Sequence, residues 1–177
     1  SRITAFEPNP EMFKLLKKNV EDNNLKNVEI INAGLSDKDG LLSFYINDNS
    51  LISSLDPARG GSKTIKAECH KLSDFIGGET YDLIKIDVEG EESNIIKDLD
   101  KTNIIHQASQ YIIEYHHNIG SRSSELSAFL KVFESNGFDY NIRSFFNTLG
   151  DFQDISISLF KRKRDKGIAP GKGISVL

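Results

Sequence analysis

A second cysteine is missing from this sequence: Cys69 stands alone, so no internal disulfide can form. A lone thiol fits a reducing compartment. Long apolar runs are missing too. Nothing approaches the ~20 residues that a membrane-spanning helix needs, and the opening residues do not read as a charged-then-apolar leader. The expectation is a cytoplasmic protein with no membrane partner. An excess of positive charge is also absent. Lys and Arg total 22 against 26 Asp and Glu, a formal charge of −4, which argues against a chain-wide footprint for nucleic acid. The basic block Lys161-Arg162-Lys163-Arg164 reads as a solvated strand end leading into a tail. What remains is 177 residues, 38% of them hydrophobic, enough for one compact domain with its own core. The expected division is a domain over residues 1–164 followed by a flexible tail over 165–177.

Alternation of short apolar runs with helical periodicity sets the fold class. Ile3-Thr4-Ala5-Phe6-Glu7 reads as a buried strand ending at an acidic residue and stopped by Pro8. Asn9 suits an N-cap and Pro10 a first helical turn, and Phe13, Leu16 and Val20 continue one face of that helix. A strand at residues 28–33 completes a βαβ unit. Further strands are expected at 41–46, 64–69, 81–87, 111–115, 138–143 and 155–160, and helices at about 72–76, 91–99 and 124–136. Residues 47–62 read as a loop long enough to suspect function. The pattern is α/β, an open and mostly parallel sheet.

Such sheets bind ligands at the carboxyl ends of their strands. Those ends read Glu7, Ala33-Gly34-Leu35-Ser36, Asp87-Val88-Glu89-Gly90 and Glu114-Tyr115-His116-His117. A carboxylate such as Glu7, just past a strand and near a helix N-terminus, suits the vicinal hydroxyls of a ribose. Asp87 and Glu89, this close together, invite either cation binding or unequal protonation, whereas Glu91 and Glu92 read as charges complementing a helix dipole. Tyr115, His116 and His117 can exchange protons near neutral pH. Adjacent residues point in different directions, so His116-His117 and Cys69-His70 do not read as ligand pairs. No resident metal is expected.

Four segments taken together resemble the FkbM family of S-adenosylmethionine-dependent methyltransferases. They are Ala5-Phe6-Glu7-Pro8-Asn9-Pro10, Asn32-Ala33-Gly34-Leu35-Ser36-Asp37 with Gly40, Ser53-Ser54-Leu55, and Leu83-Ile84-Lys85-Ile86-Asp87-Val88-Glu89-Gly90-Glu91. The match runs in order from residue 3 to about residue 160. The resemblance implies a Rossmann-like methyltransferase sheet with an antiparallel C-terminal strand at 155–160. It implies S-adenosylmethionine as cofactor and transfer of its methyl group to a hydroxyl oxygen of a small molecule or carbohydrate. By that resemblance Glu7 holds the ribose, Asn9 and Gly34, Leu35 and Ser36 lie near the adenine, and Asp87 with Glu89 face donor and acceptor. Ser53 and Ser54 belong to a loop over the site, and His116 is the proton acceptor.

One family feature is absent. The glycine-rich turn that approaches the methionine part of the cofactor belongs about 20 residues before the ribose acid, and Glu7 is the seventh residue. The expectation is therefore an N-terminally incomplete domain, lacking a first strand and helix. That strand belongs between the strands ending at Glu7 and Asp87. Residues 173–177 have the composition to replace it, although a mobile terminus is the favoured reading. Two other functions stay open at this stage: a non-catalytic interaction module, and an NAD-type enzyme, because an acid after a strand also suits the NAD ribose. An oligomer is compatible with the sequence.

Overall fold

A computed structural model describes residues 1–46, 53–57, 61–119, 125–144, 153–162 and 172–176, the last as backbone only. Two sheets and three helices make up the described residues. In chain order they are β1 (Ile3–Phe6), α1 (Pro10–Asp22), β2 (Val28–Ile31), β3 (Gly34–Ser36), β4 (Gly40–Ile46), β5 (Ser53–Ser54), β6 (Lys63–Lys71), β7 (Tyr81–Ile86), α2 (Glu92–Lys101), β8 (Gln110–His117), α3 (Leu126–Ser135), β9 (Phe138–Ser144), β10 (Gln153–Lys161) and β11 (Lys172–Val176). The short helix expected after β6 is a single 3₁₀ turn, Leu72–Asp74. No helix among the described residues is long and apolar enough to cross a membrane.

The larger sheet has seven strands in the order β2-β1-β11-β7-β8-β10-β9. β2, β1, β11, β7 and β8 run parallel, and β10 is antiparallel to both β8 and β9, so the sheet is mixed. Within the segment expected as a flexible tail over residues 165–177, the described residues 172–176 form β11. Residues 172–176 pair with β1 on one side, Ile3 opposite Gly173, and with β7 on the other, Ile174 opposite Ile84; residues 165–171 and 177 lie outside the described residues. The physical reason is the gap between β1 and β7. Each backbone group left unsatisfied along a buried edge costs about 1–3 kcal/mol, and the strand-forming segment near the C-terminus satisfies both edges at once.

The core follows from strand alternation and helix periodicity. Phe6, Ile84, Ile86, Tyr111 and Ile113 belong to one buried cluster with Ile95, Ile96 and Leu99 of α2 and Phe129 and Phe133 of α3. Tyr111, Phe133 and Phe138 meet edge-on, with ring centroids 5.2–5.6 Å apart. Tyr111 donates its hydroxyl to the Ile105 carbonyl at 2.9 Å, so its polar end is satisfied. α1 buries none of its residues. The strands on either side of the loop expected at residues 47–62, with β5 inside it, form a separate sheet ordered β3-β6-β4-β5. Its small core joins Phe44, Ala67 and Cys69. A Cβ on Gly34 would lie 2.5 Å from the Phe44 ring and 3.0 Å from Cys69 Sγ, so glycine on β3 allows this core to pack closely against it.

Candidate active site

Glu7 and Asp87 each follow directly on a parallel strand, β1 and β7, and both line one cleft of about 200 Å³. The same cleft is bordered by Phe6, Met12, Gly34, Leu35, Val88 and Glu91. Glu7 is positioned by the chain reversal into α1. The Asn9 amide donates to Glu7 Oε1 at 2.7 Å, the Asn9 side chain accepts from the Glu11 amide at 3.0 Å, and Asn32 donates to the Glu7 carbonyl at 2.7 Å. Burial raises the Glu7 pKa above the ordinary carboxylate value, and the Asn9 hydrogen bond offsets part of that rise. Asn9 is therefore the N-cap that sequence suggested, and it is buried under the Ser53 hydroxyl, 3.4 Å from its amide nitrogen.

The turn after β7 is held in an uncommon conformation. Glu89 has φ +54° and Gly90 φ +116°, and a Cβ on Gly90 would come within 2.7 Å of Ile119. Ser54 donates to the Glu89 carbonyl, fixing the turn from the small sheet. Lys85 pairs with Asp87 at 2.9 Å. Ser36 does not line the cleft; it is buried, and its hydroxyl donates to Glu91 Oε2 at 2.7 Å.

Past this turn lies a second cleft, of about 320 Å³, bordered by Gly90, Glu92, Asn94, Tyr115, His116 and Ile119. The His116 side chain is fully buried. Its Nδ1 lies 2.6 Å from Glu92 Oε1, its Nε2 3.1 Å from Glu89 Oε2 and 3.7 Å from Asp154 Oδ1. Burial alone lowers the His116 pKa, but hydrogen bonds to Glu89 and Glu92 outweigh it and raise the pKa to about 10. The imidazole is therefore cationic at neutral pH. Glu114, on the same strand, has its pKa raised by burial and by Asp87.

Glu91 and Glu92 are the residues that sequence reasoning undervalued. They do more than complement the dipole of α2: Glu91 holds Ser36 and Asn94, and Glu92 holds His116 and the Gly90 amide. A signal was present. Glu92 precedes Ile95, Ile96 and Leu99 by three, four and seven residues, the buried face of the helix. His117 and His106 stand apart from this network, and Cys69 is buried with its thiol pKa pushed up to about 12, chiefly by burial.

The sequence profile of the methyltransferase FkbM domain matches residues 1–140. This chain belongs to the FkbM methyltransferase family. Among curated proteins it is similar to Methyltransferase 1 of Beauveria bassiana, 30% identical over 123 residues that cover 56% of this chain and 49% of that protein. It is also similar to Methyltransferase sdnD of Sordaria araneosa, 27% identical over 135 residues that cover 57% of this chain and 52% of that protein. The chain thus spans about half the length of the curated relatives it matches. No solved structure matches it.

Proposed function

We propose that this FkbM-family chain transfers the methyl group of S-adenosylmethionine to a hydroxyl oxygen of a small molecule or carbohydrate, on a sheet of the Rossmann-like type. The observation that carries this reading is the placement of Glu7 and Asp87 on one cleft at the carboxyl ends of two parallel strands. The residues present suit the cofactor chemically. Glu7 offers a carboxylate to vicinal ribose hydroxyls, with Asn9 fixing one of its oxygens, and Phe6, Met12, Leu35 and Val88 offer an apolar lining to a flat ring. Gly34 and Leu35 border the cleft as the adenine end, Asn9 acts from behind Glu7 and outside the lining, and Ser36 lends support through Glu91.

S-Adenosylmethionine, when bound, supplies an activated methyl group on a sulfonium. What the protein contributes is positioning and a proton acceptor. We assign the acceptor substrate to the His116 side of the turn and the donor to the Glu7 side, with Asp87 and Glu89 between them. His116 already carries its proton at neutral pH, so the base is Glu89 or Asp87. His116 is the positioning residue that holds Glu89 in place. A thermal-shift comparison tests the reading: S-adenosylhomocysteine is expected to raise the melting temperature and NAD to leave it unchanged. The opposite pattern replaces methyl transfer with a nicotinamide enzyme, and no shift with either favours a non-catalytic module.

A further inference from the structure

Asp87 and Glu89 on the β7–α2 turn and His116 on β8 each place one ligand atom within 4.8 Å of the other two. The donor atoms on opposite sides of an ion with bonds of about 2.1 Å lie roughly 4.2 Å apart. The three groups are therefore near ligation distance already, and small side-chain rotations of the two half-buried carboxylates suffice to close on an ion.

Two further observations point the same way. The first is the support given to the imidazole. Its side chain is fully buried, and Nδ1 is fixed at 2.6 Å by Glu92, itself 2% exposed and anchored by the Gly90 amide, while Nε2 is turned toward Glu89 and Asp154. A carboxylate behind one ring nitrogen with the other nitrogen aimed at acidic oxygens is how proteins orient a metal-binding histidine. The second is the gathering of acidic side chains: Asp87, Glu89, Glu92, Glu114 and Asp154 all come together around His116, and a divalent cation suits such a cluster.

We propose that Asp87, Glu89 and His116 form a binding site for one divalent transition-metal ion of the Mn²⁺ type at the junction of the two clefts. Two carboxylates and one imidazole suit Mn²⁺ better than Ca²⁺, which prefers oxygen alone, or Cu⁺, which prefers sulfur. The ion takes the position beside Nε2, on the side that faces Glu89 and Asp154. Its place beside the second cleft lets it bind an acceptor's hydroxyl oxygen and lower that hydroxyl's pKa. This use of the ion rests on the methyl-transfer reading; the binding itself does not.

The test is titration of the full chain with Mn²⁺ alone, followed by loss of the six-line electron paramagnetic resonance signal of the free ion. One ion per chain is expected, with binding at least tenfold weaker in Asp87→Asn and in Glu89→Gln. Glu92→Gln, which loosens the imidazole without removing a ligand, is expected to weaken binding by about 10–100-fold. An undiminished free-ion signal with the unaltered chain overturns the site. So does binding that Asp154→Asn abolishes and Asp87→Asn spares, because the ion then belongs to the overlapping set Glu114, His116 and Asp154. No cofactor is present in the titration, so its failure leaves methyl transfer standing, and failure of the thermal-shift test leaves the ion site standing.

Discussion

Glu7 costs the folded protein stability in order to stand in the cleft. Burial raises its pKa above the ordinary 4.5, so the folded state binds its proton more tightly than the unfolded state does. The sign follows from linkage: the associated stability is full below pH 4.5 and is lost as pH rises through the higher folded value. Glu7→Gln keeps an acceptor for the Asn9 amide and removes the charge. Its melting temperature is expected to gain on that of the unaltered protein as pH is raised from 4 to 7, read by differential scanning calorimetry. A constant difference across that range contradicts a buried, charged Glu7. The position of this residue was legible because a strand, an acid and an Asn-Pro helix start are local features. The partnership of His116 with Glu89 and Glu92 was not, because it joins β8 to the start of α2 across more than twenty residues, and only tertiary packing sets their distance.

At the scale of elements, α2 carries two duties on one face. Ile95, Ile96 and Leu99 are fully buried in the main core, and Glu92 continues the same stripe toward His116. The helix is therefore the rigid mount of the second cleft, and its packing and its chemistry are coupled. Leu99→Ala removes a wholly buried side chain and leaves a cavity, at a cost of about 3 kcal/mol in chemical denaturation. A loss below about 1 kcal/mol contradicts the core described for this helix. Helix and strand types were legible from periodicity at α1, α2, β7, β8 and β10. The small sheet was not, because β3 and β6 are joined by hydrogen bonds between residues 35 positions apart, Gly34 with Cys69, and nothing local in either segment names its partner.

At the scale of the whole molecule, the central question is what lies between β1 and β7. Both strands are partly buried, with none of their residues exposed, and both need a neighbour; β11 provides it, parallel to each. The segment's strand composition was visible in sequence and this gap was one place named for it, but a mobile terminus was favoured, since any open edge in the fold offers the same backbone pattern. Amide hydrogen exchange distinguishes the outcomes. The amides of residues 173–176 are expected to exchange as slowly as those of β7, because both belong to the sheet's interior. Exchange at the rate of an unstructured tail contradicts the seven-stranded sheet. With that sheet intact, the cleft that joins Glu7 to Asp87 is a fixed feature of the fold, and calorimetric titration with S-adenosylhomocysteine tests its purpose most directly. The account predicts binding by the unaltered chain and affinity weakened by about 10–100-fold in Glu7→Ala, the worth of one or two charge-assisted hydrogen bonds. Equal affinity in the two proteins, or no heat of binding in either, contradicts it.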